Sequence, residues 1–467
     1  MFHAEGFSFD MGPSWYWMPD VFETFFNEFG RSVSDYYKLL RLDPSYTVYW
    51  QDGSHSDIPA DFSEYRQMVD RLEPGAGAAL DKFLKEAAYK YEVGINKLVY
   101  KPGRSLFEFA DLRFLSGIFR LQVFSSIAAH VRKHFSNPKL VQLMEFPILF
   151  LGALPADTPA LYSLMNYADI KLGTWYPEGG MHEIARAMHQ LAEEQGVDFR
   201  FEENVTGFRI ENNRIKAVKT EHGEVPADVV IGGADYHHIE QQLLPAEYRH
   251  YSPAYWQKRT MAPSSLLYYL GLDTRVPELH HHTLFFDTPF QQHAQEIYTD
   301  PKWPSEPLFY ACCPSRTDAG VAAEGHENLF LLIPTAVDLD DTEEVRSRYL
   351  ATLLERLRHR IGRDLEPHLV YQRSFAHRDF KSEYNSFRGN AYGLANTLFQ
   401  TALFKPRLKA KKVKNLYFTG QLTVPGPGVP PSLISGRVVA TEVAKAYRLN
   451  PATQMHHTKT KSPAAAI

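Results

Sequence analysis

The chain has 467 residues, 44% of them hydrophobic and 22% charged, with a formal net charge of -5 at pH 7. At roughly 150 residues per domain this is enough for two or three folded domains, and the composition excludes a collagen-like or largely disordered chain. The slightly acidic balance offers no basic field to nucleic acid, and no apolar run reaches the roughly 18 residues of a membrane span.

The 31 Phe and 26 Tyr are enough to line a large apolar cavity as well as to fill a core. Cys312 and Cys313 are adjacent, so neither an ordinary disulfide nor a multi-cysteine metal site is expected, and redox chemistry requires a cofactor. The start lacks the basic flank and apolar stretch of a signal peptide, which makes the cytoplasm the expected compartment.

In chain order, a helix is expected over 21–29, after the turn-forming Gly12-Pro13-Ser14 and before the stop at Gly30. Residues 46–50 read as a strand ending at the hairpin turn Asp52-Gly53. From 61 to 134 the pattern is mostly helical, broken at Glu73-Pro74-Gly75 and Lys101-Pro102-Gly103. Its last part, 105–134, sets Leu106, Phe109, Ile118 and Phe124 among Arg113, Arg120, Arg132 and Lys133. That pattern suits a helix lying in a membrane interface, and equally a helix covering its own domain.

An amphipathic helix follows over 181–195, with Ile184, Met188 and Leu191 on one face and Gly196 as its stop. Strands are expected at 197–201, 205–210, 215–220 and 228–231, which together with that helix suit an α/β nucleotide-binding domain. Beyond a Pro-broken linker at Ser252-Pro253, residues 266–272 and 329–333 read as buried strands, 343–361 as a charged, exposed helix, and 450–467 as a disordered tail.

The strongest local signal is the apolar run 415–418, then a Gly/Pro-rich turn to Pro431, then a helix from about 432 to 448. A strand, turn and helix N-terminus of this kind directs free N–H groups at one spot and suits an anion such as pyrophosphate or a reduced flavin; a plain αβ closure has the same pattern. No G-x-G-x-x-G fingerprint is present: Gly75-Ala76-Gly77 has Leu80 in the third position and Gly426-Pro427-Gly428 has Pro431. His182-Glu183 lacks the second histidine of a zinc motif, Arg186 standing there. His280-His281-His282 reads as a polar turn and 405–414 as a basic solvated loop. No metal site is expected.

The segment 417–430, Tyr417-Phe418-Thr419-Gly420-Gln421-Leu422-Thr423-Val424-Pro425-Gly426-Pro427-Gly428-Val429-Pro430, closely resembles the bacterial-type phytoene desaturases, flavin-dependent carotenoid desaturases related to the amine-oxidase flavoproteins. Residues 6–14, 176–181 and 387–394 are similar to segments of the same family and occur in family order, so the resemblance covers nearly the whole chain. It implies an α/β, amine-oxidase-like flavoprotein with three parts. These are a Rossmann-like FAD domain from 1–30, 170–250 and 405–449, a mixed-sheet substrate domain from 31–64 and 251–404, and a helical membrane-contacting region at 65–169. The chain starts after the family's first strand, Gly-rich loop and helix, so the FAD domain is expected to be incomplete at its N-terminus, through a misplaced start or a fragment.

By the same resemblance Gly12, Pro13 and Ser14 lie near the flavin ring, Val205 meets the adenosine part through its backbone, and Gly420, Gln421, Gly428 and Val429 frame the flavin and its phosphates. The implied reaction is dehydrogenation of phytoene to more conjugated carotenes in an apolar tunnel. Relatives acting on C30 diapocarotenoids or oxidising terminal methyl groups are the alternatives, together with an inactive homologue that binds lipid or carotenoid. A quinone or oxygen is the expected electron acceptor, and the inner face of the cell membrane the expected location. The catalytic base is left open, because a polyene spreads developing positive charge and needs no strong base.

Overall fold

The computed structural model describes residues 1–104, 120–152, 154–397 and 400–449. Its largest element is a seven-stranded mixed sheet in the order Leu369–Phe375, Ser264–Leu272, Glu327–Thr335, Phe309–Cys312, His282–Phe286, Tyr46–Trp50, His55–Ile58. Neighbours are antiparallel except His282–Phe286 against Tyr46–Trp50.

The central strands are buried on both faces, which is why their sequences run apolar without polar alternation. The period of two still sorts their side chains. Leu266, Tyr268 and Leu270 share one core with Leu329, Leu331 and Ile333. Leu267, Tyr269, Leu284, Phe286, Tyr310 and Phe330 belong to another core on the opposite face.

The first core is closed by the helix Glu343–Ile361, whose Leu350, Leu353, Leu354, Leu357 and Ile361 are buried. The high charge of this segment suggested an exposed helix; most charges do face outward, but the inner face seals the sheet, and Arg346 is buried there against Asp341 and Asp379. Its ends follow helix chemistry. The Thr342 hydroxyl accepts from Val345 N, Glu343 and Glu344 occupy the first turn, and Gly362 closes the helix in the left-handed region. The second core runs on into the helices Phe62–Leu72, Ala76–Val93 and Pro138–Glu145.

A second layer holds the parallel strand pair Val230–Gly232 and Leu416–Phe418, the meander Val205–Glu211, Arg214–Thr220, Gly223–Pro226, and the helices His182–Glu194 and Val429–Tyr447. Asn415 ties the meander to the parallel pair. Its side chain accepts from Ile215 N and donates to Ile215 O and Asp228 O, each at 2.8 Å.

Several expectations change. Residues 197–201 form no strand, because no ladder partner lies beside them among the described residues. Phe199 and Phe201 stack on each other and on His189 instead. The linker at 252–253 is a helix start: Ser252 caps Pro253–Gln257 and Trp256 is fully buried. Lys405 is buried rather than solvated, and His281 and His282 are buried at a strand end rather than in a polar turn. Of the helix expected over 105–134, residues 105–119 lie outside the described residues, as does the expected tail at 450–467. No described helix is long and apolar enough to cross a membrane.

Candidate active site

The site is assembled from segments far apart in sequence, each held by identifiable bonds. At the start of the chain, the hairpin Phe2–Ala4 with Phe7–Phe9 packs its rings on Tyr269 of the large sheet. Asp10 follows. Its carboxylate accepts from Met181 N at 2.7 Å and His182 N at 3.0 Å, which pins the Gly12-Pro13-Ser14 segment to the N-terminus of the helix His182–Glu194. Asp318 grips the other side of the same turn, accepting from Gly179 N at 2.7 Å and from the Tyr176 hydroxyl at 3.2 Å. Gly180 permits the approach: at φ 107° it lies in the region glycine favours, and a Cβ there would fall 2.8 Å from Asp10 Oδ2.

At the other end of the chain, the strand Leu416–Phe418 leads through Gly420 into the turn before the helix Val429–Tyr447. Fully buried Ser435 stitches this turn, its Oγ receiving Gly420 N at 3.2 Å and the Thr419 hydroxyl at 3.1 Å and lying 2.9 Å from the Thr423 hydroxyl. The helix starts at Val429, three residues earlier than expected, with two prolines in its first turn. Pro430 and Pro431 carry no N–H, so of the first three helical positions only Val429 keeps a donor. The first helical turn therefore offers few donors, which matches one side of an uncharged ring system better than a cradle for pyrophosphate.

Gly12, Pro13 and Ser14 share one cavity of about 500 Å³ with Gln421 and with Pro427 to Ser432. Its floor is the sheet face that carries Ser265, Leu267, Leu284, Phe286, Tyr310 and Leu332, and one wall is the helix Phe290–Tyr298. Trp15, Trp17 and Tyr392 also line it, which sequence reasoning did not single out. Gly420 is not among the lining residues; its N–H is held by Ser435 Oγ. Val205 does not reach the cavity: it stands opposite Thr220 in the meander, against the core around Phe208 and Ile215.

None of the described residues lining this cavity is Asp, Glu, Lys or Arg. The one histidine, His293, has both nitrogens engaged, Nε2 with Pro334 O at 2.8 Å and Nδ1 accepting from Leu308 N at 3.0 Å. Burial lowers its pKa to about 4, so it is neutral. Tyr310 donates to Ser14 Oγ at 3.1 Å. The cavity thus suits an uncharged apolar molecule beside the glycine and proline wall, with a few hydroxyls as its polar features.

The chain matches the flavin containing amine oxidoreductases over residues 1–444. It belongs to that family. Among curated proteins it is 42% identical over 442 residues to the carotenoid 3,4-desaturase of Haloarcula japonica, covering 94% of this chain and 88% of the relative. It is also 32% identical over 462 residues to the zeta-carotene-forming phytoene desaturase of Myxococcus xanthus, covering 96% and 88%. Within the amine oxidoreductases it is accordingly a member of the carotenoid desaturases, an FAD-dependent oxidoreductase. Among solved structures, an oxidoreductase from Methanosarcina mazei aligns with a TM-score of 0.58 at 15% identity over 95% of this chain and 90% of that one. Putrescine oxidase aligns with 0.53 at 12% identity over 93% and 88%. These two matches show the amine-oxidase-like fold.

The residues present fit a flavin. Gly12 carries no side chain, and a Cβ there would meet nothing within 4 Å, so this wall is open toward the cavity. Facing segments from both chain ends present Pro13, Ser14, Gln421, Gly428 and Val429 to the same space.

Proposed function

We propose that this carotenoid desaturase introduces double bonds into the chain of an acyclic carotenoid lying in the 500 Å³ cavity. The supporting observation is a cavity with no charged lining residue among those described, ending on the wall that joins Gly12–Ser14 to Gln421 and Gly428–Val429. Bound FAD supplies hydride-accepting, two-electron chemistry that takes a saturated C–C bond to a double bond, the second hydrogen leaving as a proton.

The protein's part is placement. Gly428, Val429 and the Pro430-Pro431 step would support one side of the flavin, and Gly12 to Ser14 the other. The largely apolar floor, with Leu267, Leu284, Phe286 and Leu332, aligns the polyene by shape, since a hydrocarbon offers no hydrogen bond. The absence of a carboxylate in the described lining accords with a reaction whose positive charge spreads along a conjugated chain. Substrate is drawn from a membrane surface, and a quinone or oxygen takes the electrons.

Phytoene is the simplest substrate for such a cavity. Desaturation at C3–C4 of an already conjugated carotene is the second reading, favoured by the higher identity to the Haloarcula japonica enzyme than to the Myxococcus xanthus one. Incubating the full chain with FAD and liposomes loaded with phytoene, or with a conjugated acyclic carotene, distinguishes them. A red-shifted polyene is expected from one of the two. Bound flavin with no change in either carotenoid would defeat the proposal.

A further inference from the structure

His281, His282 and Cys312, the first two read from the sequence as part of a polar turn and the third as one of two adjacent cysteines, meet at one end of the large sheet. In the antiparallel pair His282–Phe286 and Phe309–Cys312, His282 stands directly opposite Cys312, so both side chains leave the same face. Cys313 N donates to His281 O at 2.8 Å, extending the backbone pairing by one step, and at this strand end the His281 and His282 ring centroids lie 4.5 Å apart. The three residues are 4%, 0% and 3% exposed. One ring nitrogen of each histidine and the Cys312 sulfur lie within 4.8 Å of one another.

The hydrogen bonding of the two rings is incomplete in a specific way. His281 Nδ1 lies 2.9 Å from Thr317 Oγ1 and His282 Nδ1 lies 2.6 Å from the Tyr310 hydroxyl, whereas Nε2 of both rings is buried with no hydrogen-bond partner. The Tyr310 hydroxyl is within donating reach of Ser14 Oγ and of the Cys312 sulfur, so toward His282 it accepts from Nδ1–H, and Nε2 of that ring carries the lone pair. Buried polar atoms are rarely left unsatisfied, and two in one cluster call for an occupant. Beside them is a cavity of about 20 Å³, lined by His281 and Cys312 together with Asp10 and Tyr176. That is room for one water or one small ion.

We propose that His281, His282 and Cys312 form a binding site for a borderline-soft d¹⁰ cation of the zinc class. Two neutral imidazoles and one thiolate are a donor set for zinc or copper(I) and a poor one for magnesium or calcium, which take oxygen. Bonds of about 2.1 Å to nitrogen and 2.3 Å to sulfur require the ligand atoms to draw together by only about 1 Å. The Nδ1 bonds to Thr317 and Tyr310 are the outer contacts that orient ligating histidines. Binding releases the Cys312 thiol proton to solvent, and the fourth coordination position opens to the small cavity. His282 also stacks on Trp15 at 4.1 Å, so the ion would brace the wall that carries Ser14 and Tyr310. The other candidate cluster, Glu86, His130 and His134, is less suited, because His130 Nε2 already lies 3.4 Å from the ammonium of Lys90.

The test uses the full chain with FAD, stripped by chelator and kept reduced with a phosphine. Zn²⁺ is titrated against a chromophoric chelator, and Co²⁺ is followed by difference absorbance. One tight equivalent of zinc is expected, together with a thiolate-to-cobalt charge-transfer band. Cys312→Ser and His282→Asn should each abolish the band and weaken zinc binding by about 100-fold or more. Cys313→Ser and His280→Asn should leave both intact. FAD retention and the thermal midpoint of each metal-free variant report whether it folds, and His281→Asn decides the matter if Cys312→Ser does not. Absence of stoichiometric zinc in the wild type, which means the cavity holds water, or a charge-transfer band that survives in Cys312→Ser, overturns the proposal.

Discussion

Gly428 stands at φ 110° and ψ 158°, immediately before the first helical residue, and a Cβ on it would lie 3.2 Å from Pro431 Cδ. Substitution by alanine adds backbone strain of about 1–3 kcal/mol and pushes the turn away from the cavity. Gly428→Ala is therefore expected to purify with less FAD and a lower thermal midpoint, read from the flavin absorbance and a melting curve. Lys405 presents the opposite problem, a buried charge with no hydrogen-bond partner for Nζ among the described residues. Burial lowers its pKa to about 7 from the ordinary 10.5. Between these two values the unfolded chain binds the proton and the native chain does not, so the contribution of Lys405 to stability becomes more favourable as pH rises through the window. Below pH 7 the buried ammonium costs roughly 5 kcal/mol, at about 1.4 kcal/mol per pH unit. Lys405→Met should stabilise the flavin-free protein against urea most strongly at pH 6, and the gain should shrink steadily toward pH 10. A pH-independent gain would count against a native amine that titrates near neutrality.

Individual elements matter here through their ends. The helix His182–Glu194 has no side-chain cap on its own N-cap residue, Met181, and borrows one from Asp10, distant in the chain. Removing that carboxylate is expected to cost about 1–2 kcal/mol and to release the Gly12–Ser14 segment from its anchor. Asp10→Ala should lower both thermal midpoint and bound FAD, while Asp10→Asn, which keeps one acceptor oxygen, should fall between the two. Elements with a strong local pattern were legible in advance: the strand Tyr46–Trp50, the helix Glu343–Ile361, though not its burial, and the first two strands of the meander. Residues 197–201 show the limit of that pattern. Their apolar alternation is a necessary property of a strand, but a strand also needs a neighbour to complete its hydrogen bonds. The first turn of the helix Val429–Tyr447 is a second instance. Its position was legible to within three residues, yet the consequence of Pro430-Pro431, a surface nearly bare of donors, follows only from where the helix begins.

The 500 Å³ cavity lies between the sheet and the segments from both chain ends. Ala294 lines it from the helix Phe290–Tyr298. Ala294→Trp should occlude part of the cavity and reduce carotenoid turnover at least about tenfold, a loss of about 1.4 kcal/mol or more in transition-state binding, with FAD content unchanged. If turnover is unaffected, the polyene lies elsewhere. FAD itself should raise the thermal midpoint, by an amount equivalent to about 2.7 kcal/mol when free FAD is 100-fold above its dissociation constant. Composition, periodicity and turn chemistry are properties of residues near one another along the chain, and from them the α/β character, the longer helices such as His182–Glu194 and Glu343–Ile361, and the strand-turn-helix near the C-terminus could be read, but not the helices Pro138–Glu145, Phe290–Tyr298 and His377–Tyr384. The motif at 417–430 likewise carried the resemblance to flavin-dependent desaturases without any coordinates. Contacts between distant residues have no such local trace. The meeting of Gly12–Ser14 with Gln421–Val429, the burial of Lys405, the exclusion of Val205 from the cavity and the pairing of His282 with Cys312 were set by sheet register and packing. A shift of one residue in that register would have turned Cys312 toward the helix Glu343–Ile361 and Cys313 toward the histidines.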